Sequence, residues 1–330
     1  MSAAREHYPV RVAEVIRETE DASSFVLEAP GGFGYSPGQF ITVRVGDLAR
    51  CYSLCSSPHS GEPHAITVKR AGYASAWLLD NVRAGTVLDM LPPAGTFTPR
   101  SLDTDFLLLA AGSGITPVMS ILKSALAAGR GRLILVYANR DERSVIFGGA
   151  LRELAASAHG RLTVIHHLDS VSGPPTAAWL TSVARPYAGS EAFVCGPDPF
   201  MATVRTALAT LGTPAARVHV ERFLSLEENP FEAAPVLENG VAARLTVTLD
   251  DETRVLEWPA GVRMLDQMLD AGLDAPYSCR QGICGACACQ LVEGKVDMAH
   301  NEVLEDADLA DGYILACQST AVTESVTITY

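Results

Sequence analysis

Four cysteines carry the strongest chemical signal in the chain. Cys279, Cys284 and Cys287 lie within Pro276-Tyr277-Ser278-Cys279-Arg280-Gln281-Gly282-Ile283-Cys284-Gly285-Ala286-Cys287, and Cys317 follows at a distance. C-x4-C-x2-C with a remote fourth cysteine is the spacing by which three thiolates on one loop, and a fourth from elsewhere, hold a [2Fe–2S] cluster. Such a loop must curl with its amides pointing inward. Gly282 and Gly285 suit that demand, because glycine reaches positive φ and permits close backbone approach. Structural zinc favours two separated C-x2-C pairs, which the x4 gap fits poorly. Disulfide frameworks belong to small secreted domains, whereas this chain has 330 residues. The spacing leaves out Cys289, which reads as a small buried hydrophobe.

Two further regions could hold flat, phosphorylated cofactors. Arg50-Cys51-Tyr52-Ser53-Leu54 stands at the end of a strand, before a turn-rich segment. There a guanidinium can clamp a phosphate, a tyrosine can pack on a flat ring, and a serine can reach a ring nitrogen. Lys69-Arg70-Ala71-Gly72-Tyr73-Ala74-Ser75-Ala76-Trp77 leads into a helix whose start can present amides to a pyrophosphate. Together these segments describe a flavin site, with Tyr73 available to an adenine.

Ala111-Gly112-Ser113-Gly114-Ile115-Thr116-Pro117 follows an apolar strand and opens a helix. It lacks the third glycine of G-x-G-x-x-G but lies outside the carboxyl end of a strand, where open α/β sheets bind ligands. Val194-Cys195-Gly196-Pro197-Asp198 ends a later strand on the same edge. The two glycine turns together describe a nicotinamide crevice. Arg140 could meet a 2′-phosphate and Asp141 a ribose hydroxyl. His166 and His167, without matching ligands, read as structural.

The patterning shows what must position these groups. Residues 1–103 alternate short runs (Val10–Val15, Ser24–Leu27, Phe40–Val45, Ala65–Val68, Thr86–Met90) with Gly/Pro turns, as in a small antiparallel β-barrel with one helix over Ala74–Asn81. Residues 104–224 alternate strands (Phe106–Ala111, Leu133–Ala138, Leu162–His166, Ala192–Cys195, Val218–Glu221) with helices near Pro117–Ala128, Arg143–Ser157, Thr176–Val183 and Pro199–Leu211. That order belongs to an α/β doubly wound parallel sheet. Residues 225–242, acidic and proline-bearing, read as a linker. Residues 243–330 open with a hairpin (Leu245–Leu249, Val255–Trp258), place a helix over Met264–Ala271 before the cysteine loop, and close with strand Ser325–Tyr330.

Hydrophobic residues make up 48% and charged residues 19% of the chain, the balance of a globular protein with substantial cores. The start, Met1 to Tyr8, has no apolar signal-peptide core, and no run approaches the roughly 18 apolar residues of a membrane span. Eight cysteines without a secretion signal give the expectation of a cytoplasmic protein that ligates metal. The net charge of −13 is uneven: residues 243–330 carry 15 acids against 5 bases, and residues 224–242 carry four acids and no base. Acidity concentrated on the cysteine-bearing unit would steer a basic partner surface toward it. No basic face stands out for nucleic acid.

The R-x-Y-S, G-x-x-S, G-S-G-I-T-P and V-C-G-P elements, in this order, resemble the ferredoxin–NADP reductase superfamily. With a plant-type ferredoxin unit at the C-terminal end, the chain resembles the oxygenase reductases. Asp105–Leu126, Tyr137–Gly148, Val218–Phe223 and Cys279–Cys289 look very similar to reductases of steroid-hydroxylating oxygenases.

The resemblance implies an FAD-binding β-barrel over 1–103, an NAD-binding domain over 104–224 and a β-grasp [2Fe–2S] ferredoxin domain over 243–330. It implies that Arg50, Tyr52 and Ser53 contact the flavin, with Ser53 near N5, and that Lys69, Gly72 and Ser75 line its phosphates. Gly112, Gly114 and Thr116 would hold the nicotinamide nucleotide. Cys195 would sit by the nicotinamide C4, Glu221 would complete the hydride-transfer pocket, and Phe223 would cover the flavin ring. The resemblance favours FAD over FMN and NADH over NADPH. Its expected partner is a terminal Rieske-type oxygenase docking on the acidic domain. The alternatives are the reductase of another multicomponent oxygenase or epoxidase, of aromatic or phenylacetyl-CoA type, and a redox-responsive storage or regulatory protein.

Overall fold

The computed structural model describes residues 7–28, 33–223, 225–232, 235–237 and 239–330. Residues 1–6, where most of the N-terminal reading falls, and 233–234 and 238 of the expected linker lie outside the described residues.

Six antiparallel strands build the first unit: β1 (Tyr8–Arg17), β2 (Ala22–Glu28), β3 (Phe40–Val45), β4 (Leu48–Ser53), β5 (His64–Lys69) and β6 (Val87–Met90). Their order is β4-β3-β6-β1-β2-β5, and a bridge from Leu54 to Ile66 draws the two edge strands together into a nearly closed barrel. Helix α1 (Tyr73–Asn81) packs Ala74 and Leu78 into the barrel core. One boundary differs from expectation. Arg50–Ser53 end a strand as expected, but that strand is a separate one, because Gly46-Asp47 turns the chain back and pairs Val45 with Leu48. Gly46 supplies the positive φ (61°) that so tight a hairpin needs.

The second sheet is parallel, with β7 (Phe106–Ala111), β8 (Leu133–Asn139), β9 (Leu162–Leu168), β10 (Glu191–Cys195) and β11 (Val218–Glu221) in the order β11-β10-β7-β8-β9. Every residue of β7 is buried, because separate apolar cores cover the two sheet faces. The helices are α2 (Ile115–Ala128), α3 (Gly148–Ser157), α4 (Asp169–Ser172), α5 (Ala177–Ala184) and α6 (Asp198–Thr210). Helix α3 starts five residues later than Arg143 suggested. Asp141 caps a separate short turn, and Phe147 takes a left-handed φ of 62° just before Gly148.

The third unit comprises β12 (Ala243–Leu249), β13 (Glu252–Trp258), α7 (Met264–Asp270), β14 (Ala288–Glu293), β15 (Val296–Met298), α8 (Asp306–Ala310), β16 (Tyr313–Leu315), β17 (Ser319–Ala321) and β18 (Ser325–Thr329). Its main sheet runs β13-β12-β18-β14-β16, with the first and last strands of the unit, β12 and β18, parallel and adjacent. Trp258, Met264, Leu265 and Ile328 form its core, together with Cys287, Cys289 and Cys317.

Strand β3 is buried on both faces. Ile41 and Val43 enter the barrel core, while Phe40 packs outward with Leu226, Cys279 and Cys284. The cysteine loop therefore lies against the barrel.

Candidate functional site

A cavity of about 260 Å³ opens where the barrel meets the second unit. Its walls hold Arg50, Tyr52 and Ser53 of β4, Lys69 of β5, Gly72 and Ser75 at the start of α1, Thr116 of α2, and Phe223. Eight residues singled out from the sequence thus share one space. Ser75 Oγ accepts from the amides of Ala71 and Gly72 at 2.9 and 3.0 Å and donates to the Gly72 carbonyl, so it shapes the loop ahead of α1. Burial keeps the Tyr52 hydroxyl protonated by raising its pKa. Arg50 donates to the carbonyls of Ala49 and Leu226, which ties the cavity wall to the segment after Phe223.

The turn Gly112–Gly114 lies against this cavity, to which it contributes Ser113. Gly112 has φ +54° and its carbonyl accepts from the Tyr137 hydroxyl at 3.0 Å. A Cβ on Gly114 would fall 2.2 Å from the Cys195 carbonyl oxygen, so only glycine lets this turn approach the end of β10. Cys195 pairs with Glu221 across β10 and β11. Burial pushes the Glu221 carboxyl up to about 8, and burial followed by Glu221 pushes the Cys195 thiol well up. The pair therefore presents an uncharged wall at neutral pH. Arg140 reaches Asp21 at 3.4 Å, while the Asp141 carboxylate accepts from the Ser144 amide, so Asp141 is spent on its own turn. His167 is buried, with its ring 4.4 Å from that of Trp179 and its Nε2 2.8 Å from the Gly173 carbonyl oxygen, while His166 packs near Tyr137.

Cys279, Cys284, Cys287 and Cys317 are all buried. Among the described residues no three His, Cys, Asp or Glu groups converge as a site for a single ion. The four thiols instead influence one another in two pairs, Cys279 with Cys284 and Cys287 with Cys317, while the Gln281 amide donates to Cys279 Sγ at 3.3 Å and the Cys317 amide to Cys287 Sγ at 3.5 Å. The Cys284 thiol holds Cys279 below the ordinary thiol range, helped by the amides of Gln281, Ile283 and Cys284. Cys287, then the Gln318 side chain and the Gly282 amide, lower Cys317 likewise. Four buried thiols ringed by inward amides fit a two-iron cluster, which Cys279, Cys284, Cys287 and Cys317 would hold. Gly282 (φ +77°) must lack a side chain, since a Cβ would meet the His300 carbonyl oxygen at 2.6 Å. Cys289 belongs to β14, buried in the domain core, with its thiol pushed up to about 12 by burial.

A second cavity, of about 350 Å³, joins the two sites: Ser53, Glu221 and Phe223 line it together with Cys279 and Cys284. Cys51, passed over in the sequence as a spacer within R-x-Y-S, lines both cavities. Strand alternation was the available signal, since it places residue 51 on the face of Ser53. Leu226 was also missed; it is 4% exposed and packs with Cys279 and Cys284.

These features define a modular reductase: a flavin barrel, a pyridine-nucleotide domain and an iron–sulfur domain gathered around adjoining cavities. The domain models agree, with an oxidoreductase NAD-binding domain matching residues 108–206 and a 2Fe-2S iron-sulfur cluster binding domain matching residues 247–322. The chain is 54% identical to the 3-ketosteroid-9-alpha-monooxygenase ferredoxin reductase component of Mycolicibacterium smegmatis, over 97% of this chain and 96% of that one. It belongs to that family of oxygenase reductases. A component of the 1,2-phenylacetyl-CoA epoxidase of Escherichia coli is 32% identical over 98% of this chain and 97% of that one. Among solved structures, phthalate dioxygenase reductase superposes with a TM-score of 0.60 at 25% identity, covering 98% of each chain. Among the described residues no helix is long and apolar enough to cross a membrane.

Proposed function

We propose that this chain is the electron-supply component of a 3-ketosteroid 9α-hydroxylase system, drawing on NADH and serving a terminal Rieske-type oxygenase. The observation that carries the relay is the cavity shared by Ser53, Glu221 and Phe223 with Cys279 and Cys284. When bound, FAD accepts a hydride from NADH and yields electrons singly, and a plant-type cluster carries each onward at about −400 mV.

The chain's own residues orient and insulate. Arg50, Tyr52 and Ser53 hold the flavin, with Ser53 toward N5; Lys69, Gly72 and Ser75 hold its phosphates; Phe223 covers its ring. Gly112, Gly114 and Thr116 take the nicotinamide nucleotide. Cys195 and Glu221 give the hydride a neutral pocket at pH 7. Cys279, Cys284, Cys287 and Cys317 ligate the cluster. The functional division falls at 1–103, 104–224, a linker over 225–242, and 243–330. The oxygenase approaches the acidic third domain, where 15 acids against 5 bases attract a basic surface. The setting is cytoplasmic.

An anaerobic NADH titration of the purified protein, followed by visible absorption and electron paramagnetic resonance, tests the relay. Bleaching of a flavin band together with a low-temperature reduced-cluster signal is expected. Flavin bleaching without that signal would reduce the protein to a simple diaphorase. Turnover with purified oxygenases then separates a steroid-hydroxylating partner from an aromatic-ring oxygenase or an epoxidase.

A further inference from the structure

The seam between barrel and cysteine loop is apolar, formed by Phe40, Ala49, Leu226 and Ile283 around Cys279 and Cys284. Within it lies one polar contact between chain positions 236 residues apart: Thr42 Oγ1 and Ser278 Oγ are separated by 2.8 Å. Thr42 is 0% exposed and Ser278 1%. The same Thr42 oxygen lies 3.4 Å from Cys51 Sγ. The contacts thus run from the residue beside Tyr52 and Ser53, through Thr42, to the residue preceding Cys279.

Apolar packing is non-directional, and an apolar seam alone would tolerate sliding. A buried hydroxyl pair is directional, and with no water to replace either partner it selects one register. We propose that Thr42 is a positioning residue: its bond to Ser278 fixes the cysteine loop against β3, beside β4, and sets the speed at which electrons cross from flavin to cluster. This rests on the relay reading above. Each crossing moves one electron and makes or breaks no bond. Per NADH, a hydride enters the flavin, two electrons leave it in separate crossings, and one proton passes to solvent.

The test uses the cofactor-loaded full chain in anaerobic stopped flow, where flavin reduction and cluster reduction are separate optical phases. Thr42→Val keeps the β-branched shape and removes the hydroxyl; Thr42→Ser keeps the hydroxyl. Thr42→Val should leave flavin reduction by NADH unchanged and slow cluster reduction about tenfold, the change expected from losing one buried partner. Thr42→Ser should restore the rate. Backbone hydrogen exchange should rise across residues 278–286 in Thr42→Val and stay unchanged in β12 and β18. The cluster potential should not move, because Thr42 does not touch a sulfur of the cluster loop.

Ser278→Ala should reproduce the defect, and the double variant should be no slower than either single one. An unchanged cluster phase in Thr42→Val, equal slowing of both phases, or a shifted potential would each overturn the positioning role. Failure of the wild-type cluster to reduce at all would overturn the relay reading instead.

Discussion

Glu221 offers the sharpest test of the site's electrostatics. Its carboxyl is pushed from the ordinary 4.5 up to about 8 by burial. Between those pH values the folded chain keeps a proton that the unfolded chain has lost, so stability must fall as pH rises through this window. Full ionisation in place costs about 5 kcal/mol, at about 1.4 kcal/mol for each tenfold in proton affinity. Glutamine has the same shape and cannot ionise. Glu221→Gln should therefore match the wild type near pH 4 and gain on it progressively, by roughly 2 kcal/mol between pH 6 and pH 8. For a unit of this size that corresponds to roughly 10 °C in the melting temperature of the nucleotide-binding domain. Calorimetry at half-unit intervals from pH 5.5 to pH 9, without NADH, reads the gap directly. Stopped-flow flavin reduction by NADH should also show an inflection near pH 8 in the wild type and none in the variant. A melting-temperature gap that stays constant with pH, or closes as pH rises, would refute a carboxyl held neutral by burial.

Gly114→Ala places a methyl 2.2 Å from a backbone oxygen that cannot rotate away. Overpacking of this kind costs about 1–3 kcal/mol, so KM for NADH should rise about tenfold while flavin content, read from absorbance, stays normal. Cys284→Ser should lose the cluster, measured as iron and acid-labile sulfide, yet keep flavin reduction by NADH; Cys289→Ser should keep its iron. Leu226→Ala removes a side chain that packs in one cluster with Phe40, Cys279 and Cys284. It should loosen the seam by about 2–3 kcal/mol, seen as faster proteolysis within residues 225–242 with the melting of the third domain unchanged.

What the sequence showed plainly was whatever chemistry or period fixes locally. The interval from Cys279 to Cys287 is the spacing of a plant-type two-iron loop and falls within the matched iron–sulfur domain, and a sheet covered on both faces dictates runs such as Phe106–Ala111, whose every residue is buried. The hairpin at Gly46-Asp47 was blurred because Phe40–Val45 and Leu48–Ser53 are separated by only two residues and merge into one apolar stretch. Residues 225–232 were harder. Their acids suggest a solvated tether, yet Glu227, Glu228 and Glu232 hydrogen-bond through backbone groups to Gln281 and Arg280. Leu226 and Phe231, apolar residues among acids, were the available hint.

The pairing of Thr42 with Ser278 had no local signature, but β3 carried an indirect one. An antiparallel strand with one face in water alternates apolar and polar residues. Phe40-Ile41-Thr42-Val43 does not alternate, and all four are buried. Such a run in a small barrel requires a second cover over its outer face. The neighbouring strand then decides what the cover is for. Cys51 and Ser53 share one face of β4 by strand alternation and line both cavities, the one walled by Cys279 and Cys284 and the one that Arg50 and Tyr52 also reach. A single hairpin thus faces both cavities, and the segment that covers β3 is the cysteine loop. The unalternating strand and the cysteine loop are two halves of one requirement, 236 residues apart.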